Sequence, residues 1–478
     1  MEAPLIPFSG RSHGGDGGGR RTEVLVEVKR QLRLGGPLIV SCFLQFSLNV
    51  ISIMFVGHLG ELSLAGASMA TSFAGVTGFS LILGMGSAMD TFCGQAFGAG
   101  QYHMLGIHMQ RAMLVLTVVS VPLAFIWACT GEILLALGQD PDVSKEAGSY
   151  ARWMIPNLFG YALLQCHVRF LQTQSVVTPM MAGSGATALL HVLICWVLVF
   201  KSGLGNRGAA VANCISCWIN VAILAVYMRV SPTCKKSWTG FSKEAFNDVL
   251  CYVKLAVPSA VMVCLEFWSF ECLVLLSGLL PNPTLETSVL SISLNTSSMI
   301  FMIPLGLGNV ISTRVSNELG AGNPQAAQLA IYVVVFLAVM EGLLVALVTV
   351  LVRGIWGYMY SSEEEVVQYL AIMLPIVAAS NFMDSIQCVL SGTIRGSGRQ
   401  KIGALVNLGA YYIVGIPSAV LLAFVFHIGG KGLWMGTICG LLAQNLLLIG
   451  ITMRTDWEKE AQKSKDRVYS KGLLGEAA

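Results

Sequence analysis

Long apolar stretches recur along almost the whole chain, and they constrain its fold more than any other feature. About 20 consecutive apolar residues are enough to cross the hydrocarbon core of a bilayer. Twelve such stretches lie between residues 36 and 453, and several are longer than one crossing requires. Only 12% of the 478 residues are charged, roughly half the share found in soluble globular proteins. The sequence therefore predicts an all-α membrane protein with twelve transmembrane helices.

Basic residues are concentrated in four segments that twelve spans would place on one side of the membrane. These segments are the N-terminal tail, the connection between the sixth and seventh spans, the connection after the tenth span, and the C-terminal tail. Representative members are Arg30, Lys235, Arg395 and Lys459. Because positive residues accumulate on the cytoplasmic side of membrane proteins, both termini are predicted to be cytoplasmic.

An internal repeat divides the chain into two halves. Residues 84–100 and 306–322 align without a gap, and both finish the second span of their half. The matched residues are Gly84, Gly86, Thr91, Gly98, Ala99 and Gly100, which correspond to Gly306, Gly308, Thr313, Gly320, Ala321 and Gly322. Gly98 and Gly100, like Gly320 and Gly322, are predicted to end a helix and turn the chain.

The repeat predicts two homologous six-helix bundles in parallel orientation, because six is an even number of crossings. We assign residues 34–230 to the first lobe and residues 250–453 to the second. A cytoplasmic linker, 231–249, joins them, and residues 1–33 and 454–478 form cytoplasmic tails. Transporters built this way bind substrate near the membrane midplane, between the halves.

Two acidic residues lie well inside predicted spans, where charge is costly and usually functional. Glu266 is near the centre of the seventh span, and Asp384 lies in the tenth, toward the cytoplasm. Burial disfavours the charged form of a carboxyl group, so both are candidates for taking up and releasing protons. The alternative is a structural carboxyl group that hydrogen-bonds between helices. Asp90 and Glu341 are assigned to helix ends or packing.

Other residues in the spans are candidates for lining a substrate cavity. Asn381 shares a helix face with Asp384, because the two are three residues apart. The full set is Gln45, Asn49, Trp268, Glu271, Asn295, Asn381 and Tyr411. Hydrogen bonding between helices is the alternative for the polar members, and ordinary packing is the alternative for the aromatic ones.

Several function classes are disfavoured by what the sequence lacks. It contains no GxxxxGK[ST] loop for ATP and no clustered metal ligands among its seven histidines. We therefore predict no cofactor, no metal and no nucleic-acid partner, with energy coming from an ion gradient. A membrane-embedded enzyme such as an acyltransferase would need a nucleophile or an acid–base cluster near the interface, and none is evident. We expect a monomer whose partners are the bilayer, protons and a small organic substrate.

Five motifs resemble those of multidrug and toxic compound extrusion (MATE) transporters, and three of them resemble the plant detoxification branch. They occupy residues 54–62, 90–100, 265–271, 312–323 and 396–403, and the resemblance extends over residues 30–456. It implies two six-helix lobes, a central cavity and proton-driven antiport, with Glu266 and Asp384 carrying the protons in the C-terminal lobe. Many bacterial members have an Asp in the first helix, which this chain lacks, so sodium coupling is not expected.

The resemblance implies export of xenobiotics or secondary metabolites by alternating access. A lipid flippase or a carrier of organic anions or hormones on the same scaffold remains the alternative. A major-facilitator carrier is disfavoured, because residues 97–107, between the second and third spans, contain no Lys or Arg. We expect the plasma membrane rather than the vacuolar membrane.

Overall fold

The computed structural model describes residues 18–469, with side chains from residue 21 onward. The outer parts of the two predicted tails lie beyond the described residues. Twelve long helices follow one another, and a shorter thirteenth comes after them. The helices of the N-terminal half are α1 Gly18–Gly57, α2 Glu61–Gly98, α3 Tyr102–Ala128, α4 Pro141–Thr173, α5 Thr178–Lys201 and α6 Asn206–Val230. Those of the C-terminal half are α7 Val249–Ser277, α8 Pro283–Gly320, α9 Pro324–Trp356, α10 Glu364–Ser397, α11 Gln400–Val425 and α12 Gly430–Met453, followed by α13 Trp457–Tyr469.

Eleven of the helices among the described residues are long and apolar enough to cross a membrane. The exception in the predicted set of twelve is α4, which is 33 residues long but more polar. Its polarity comes from a buried face that carries Asn157, Gln165, Arg169 and Gln172. Protein neighbours surround this face, so these side chains are not presented to lipid. The predicted all-helical membrane fold is confirmed.

Two helices extend further than the apolar stretches indicate. Helix α1 begins at Gly18 and so runs through the position at which the predicted tail meets the first lobe. Arg395 lies inside α10 rather than in the connection after it. Each helix continues beyond its apolar stretch because the polar residues there find partners inside the protein.

The repeated glycines lie where the two halves meet. Helices α2 and α8 end at Gly98 and Gly320, and the chain turns at Gly100 and Gly322 with φ of 74° and 76°. Glycine adopts this left-handed conformation without steric cost. These observations confirm the predicted helix ends and turns. We call the end of the molecule at which α2 and α8 finish the inner end, and the opposite one the outer end.

Helices α2 and α8 touch through their backbones at the inner end. A Cβ atom at Gly98 would collide with the carbonyl oxygen of Asn317, and one at Gly320 would collide with that of Gln95. Small residues permit such close approach between membrane helices. The glycines of the repeat therefore join the two halves at this end.

Helix α1 packs against both halves. Ile39 of α1 contacts Gly306 of α8. Ser41 and Ser52 of α1 hydrogen-bond to Ser184 and His191 of α5, within the N-terminal half. One face of α1 thus meets the C-terminal half and another face meets its own half.

We predict that Gly320→Ala destabilises the protein by about 1–3 kcal/mol, the usual cost of overpacking. The added methyl group must push the backbone of α2 away. Gly450→Ala is the matched control, because a Cβ atom there would meet nothing within 4 Å. Thermal melting of the detergent-purified variants measures the difference. Equal melting temperatures would show that the inner contact is not close-packed.

Candidate functional site

Two carboxyl groups and a glutamine form a polar cluster inside the C-terminal half. Gln387 of α10 donates from Nε2 to Oε1 of Glu266 on α7, at 2.6 Å. The Oε1 atom of Gln387 accepts a hydrogen bond from the hydroxyl group of Ser391, at 2.9 Å. Asp384 lies one turn before Gln387, is 5% exposed and interacts electrostatically with Glu266. The Asp384 Oδ1 atom is buried without a hydrogen-bond partner.

Helices α8 and α11 complete this cluster. Tyr411 is buried in a π-helical segment of α11, Leu408–Gly415, and its hydroxyl group has no hydrogen-bond partner. It lies within electrostatic reach of Glu266 and Asp384. Asn381 accepts a hydrogen bond from Ser297 of α8 at 2.6 Å, while its Nδ2 atom remains unpaired. Three helices, α7, α10 and α11, therefore bring together Glu266, Asp384, Asn381 and Tyr411, and α8 adds Ser297.

This cluster has the chemical groups needed to hold and exchange protons. It contains two carboxyl groups, unpaired oxygen atoms and a phenol, all in the middle parts of membrane helices. Within residues 18–469, no group of three or more His, Cys, Asp or Glu side chains is arranged to hold a metal ion. The Asp384 carboxyl oxygen that lacks a hydrogen-bond partner can take up a proton, and the neutral hydroxyl group of Tyr411 lies in the same cluster.

Trp268 and Glu271 face a different neighbour from Glu266. The hydroxyl group of Ser72 on α2 donates to both carboxylate oxygens of Glu271, at 3.1 and 3.0 Å. The indole nitrogen of Trp268 donates to the carbonyl oxygen of Val76, at 3.0 Å. These two candidate cavity residues therefore link α7 to α2, across the two halves.

The remaining candidates, Gln45, Asn49 and Asn295, lie on α1 and α8. Gln45 of α1 donates to Ser41 on its own helix, at 3.2 Å. Asn49 of α1 and Asn295 of α8 are exposed. None of these three shares a hydrogen bond with the Glu266 cluster in the part of the chain that the structure describes.

A second polar cluster, which we call the inner seal, joins the halves near the inner end. It consists of Asp90, Arg169, Ser312 and Arg395. The Oδ2 atom of Asp90 accepts hydrogen bonds from Arg169 at 3.3 Å and Ser312 at 3.0 Å, and the Nε atom of Arg395 lies 3.9 Å away. Asp90 is 0% exposed. The seal connects α2 and α4 of one half with α8 and α10 of the other.

Sequence reasoning missed the inner seal. It assigned Asp90 to a helix end or to packing, whereas Asp90 lies inside α2 and contacts the other half. One signal was available: Arg169 is an uncompensated base inside the fourth predicted span, and a buried base in a membrane helix requires an acidic partner.

Comparisons with known proteins agree with this architecture. The family model described as MatE matches residues 37–197 and 258–421. Protein DETOXIFICATION 16 of Arabidopsis thaliana is 59% identical, over 96% of this chain and 95% of that protein. The crystal structure of the eukaryotic MATE transporter AtDTX14 is 48% identical and superposes with a TM-score of 0.90, covering 93% of this chain and 100% of that one. The Vibrio cholerae MATE transporter VcmN, in its bent form, has the same fold at 18% identity, with a TM-score of 0.78 over 94% of this chain and 99% of that one.

The family model covers more than half of the chain, and the relatives match it over nearly its full length. The two-half helical fold of the solved MATE transporters is the fold described above. The chain therefore belongs to the MATE family of membrane transporters.

Proposed function

We propose that this transporter is a proton-coupled antiporter in which Glu266 and Asp384 carry the protons. The cluster of these two carboxyl groups around Gln387 is the observation that carries the proposal. Acids in the middle of membrane helices mark ion and proton pathways far more often than structural sites. Protonation removes their charge and so changes the relative stability of the states of an alternating-access cycle.

The N-terminal half offers no equivalent proton site among its described acidic residues. Glu27 of α1 is near the inner end and forms an ion pair with Arg314, at 2.9 Å. Asp90 of α2 is held between Arg169 and Arg395. Both carboxyl groups are held in place by ion pairs with arginine side chains, at 2.9 Å for Glu27 and 3.3 Å for Asp90. The proton sites are therefore assigned to the C-terminal half alone.

We propose that the substrates are small organic compounds, xenobiotics or secondary metabolites, and that they are exported. Asn49 and Asn295 are exposed on α1 and α8, which belong to different halves. Polar side chains at these positions fit a watery cleft better than a lipid surface. Glu266 and Glu271 make neutral or cationic substrates better suited to this cleft than organic anions. The name DETOXIFICATION, carried by the Arabidopsis relatives, agrees with this role.

We further propose that both termini are cytoplasmic, so that the inner end faces the cytoplasm and the outer end faces away from it. The basic residues of the connection between α6 and α7, such as Lys235 and Lys236, are at the inner end. The proposed location is the plasma membrane, and the proposed functional unit is a monomer with its own complete cleft.

We predict that Glu266→Gln and Asp384→Asn each abolish proton-driven export, because neither replacement side chain can bind and release a proton in this pH range. Efflux of a fluorescent organic cation from proteoliposomes under an imposed pH gradient measures the effect. The rate should fall to that of liposomes without protein.

Glu365→Gln provides the control, because Glu365 is an exposed acid at the start of α10. Its efflux rate should match that of the unmodified protein. Full proton-driven export by both cluster variants would remove the proton-coupling proposal. Transport of a labelled phospholipid or of an organic anion, without transport of the cation, would remove the proposed substrate class.

We predict that an epitope tag inserted after Gly203, between α5 and α6, binds antibody in intact cells that display the protein at their surface. Tags at Gly240, between α6 and α7, and at the C-terminus should bind antibody only after permeabilisation, because positive residues hold these segments in the cytoplasm. The reverse pattern would invert the proposed orientation.

A further inference from the structure

Arg395 lies between the two polar clusters of the membrane region. It is 8% exposed, and its Nε atom is 3.9 Å from the carboxylate of Asp90 without forming a hydrogen bond. It also interacts electrostatically with Glu266. Arg395 is therefore a buried cation with one acidic neighbour in each half of the protein.

The side chains between Asp384 and Arg395 lie on one face of α10. Asp384, Gln387, Ser391 and Arg395 follow one another at intervals of three or four residues, which places them in one row. Gln387 binds Glu266, and Ser391 binds Gln387. The helix rises about 12 Å from Gln387 to Arg395. The long side chain of Arg395 makes the separation between its charged group and Gln387 shorter than this rise.

The charges of the two clusters balance only when one carboxyl group of the Glu266–Asp384 pair is ionised. Arg169 and Arg395 contribute two positive charges, and Asp90 contributes one negative charge. Arg169 belongs to the N-terminal half and Arg395 to the C-terminal half, so the two arginines repel each other across the contact between the halves. An ionised carboxyl group in the cluster compensates the second arginine.

We propose that Arg395 is the positioning residue through which the charge of the Glu266–Asp384 pair sets the strength of the inner seal. Protonation of the pair leaves one excess positive charge in a buried region, where charges are weakly screened. Arg169 and Arg395 then repel each other across the seal, and the inner end opens. This direction suits an exporter, because a protonated, substrate-free carrier must turn toward the cytoplasm. The inference rests on the proposed proton coupling.

The other titratable groups near the two clusters do not change this balance of charges at neutral pH. Cys388 and Tyr411 face Glu266, and Cys93 and Tyr252 face Asp90. These thiols and phenols are neutral when protonated. Arg467 of α13 donates to Gln95 and to the carbonyl oxygen of Ser397, beside the seal. Its positive charge interacts with Glu460 of the same helix and is the same in both protonation states of the pair, so it does not alter the change in charge.

The test measures the distance across the inner end as a function of pH. Spin-labelled amino acids at Gln101 and Gln325, exposed residues at the inner ends of the two halves, report this distance by pulsed electron resonance in the full-length protein. In the unmodified protein, the ratio of molecules with a long label-to-label distance (inner end open) to those with a short one (inner end closed) should rise on acidification from pH 8 to pH 5. We call this the open-to-closed ratio. A unit charge about 10 Å away at an effective dielectric constant of about 20 predicts a change on the order of tenfold.

The decisive comparison is a double-mutant cycle. The double variant Glu266→Gln/Asp384→Asn, which removes both ionisable carboxyl groups of the pair, should raise the open-to-closed ratio at pH 8 on the order of tenfold, and in the background of Arg395→Gln it should have no further effect. Arg395→Lys should keep the response, since it keeps the charge, and Arg395→Met is the uncharged alternative if the glutamine variant does not fold. Arg399→Gln, which removes a neighbouring arginine hydrogen-bonded to Thr455, should leave the response unchanged.

The role of Arg395 and the proton coupling are distinguished by different results. If Glu266→Gln/Asp384→Asn opens the inner end equally with and without Arg395, then Arg395 has no coupling role, although proton-driven efflux would still depend on Glu266 and Asp384. If Glu266→Gln and Asp384→Asn transport normally under a pH gradient, then the proton-coupling proposal itself is wrong. Either result overturns the role of Arg395.

Discussion

The absence of water in the bilayer core is the constraint on which the rest of this structure depends. Each polar side chain inside a span needs a partner within the protein, and the chain meets this need in two places. Near the inner end, Asp90 binds groups from α4 and α8 and lies close to an arginine of α10. In the C-terminal half, Glu266 has Gln387 as its direct partner, and Asp384 retains an unpaired oxygen atom. The first cluster contains a direct ion pair, between Asp90 and Arg169, and the second is the one at which we propose proton exchange.

The close contact of the halves at the inner end makes the first cluster possible. Gly98 and Gly320 let the backbones of α2 and α8 touch, which places Asp90 within reach of Ser312 on the opposite helix. A side chain at either glycine would separate the two helices and lengthen the contacts of the seal. The glycines of the repeat and the charges of the seal therefore act together. The glycines set the distance between α2 and α8, and the charges make the free energy of closing the inner end depend on charge.

The sequence predicts the fold well because membrane crossing is largely a local property. The lengths of the apolar stretches indicate the helices, and the repeat of residues 84–100 in 306–322 indicates the two halves. Mid-span position alone is enough to single out Glu266 and Asp384. Contacts between halves are not local, so the partners of Asp90, the position of Arg395 inside α10 and the role of Gln387 were not predictable. Helical periodicity gives the face on which a residue lies, but not the helix that this face meets.

Helix α10 belongs to both clusters, and this has a mechanical consequence. Asp384 and Gln387 lie at the proposed proton site, and Arg395 lies at the seal, about two turns beyond Gln387. The helix is continuous from Glu364 to Ser397, so it cannot shift at the proposed proton site without moving the arginine. In the proposed mechanism, a change in charge at Glu266 would reach the contact between the halves both through the electric field and through this one helix. A helix that was broken between the two levels would transmit only the field, which would weaken the link between protonation and the opening of the inner end.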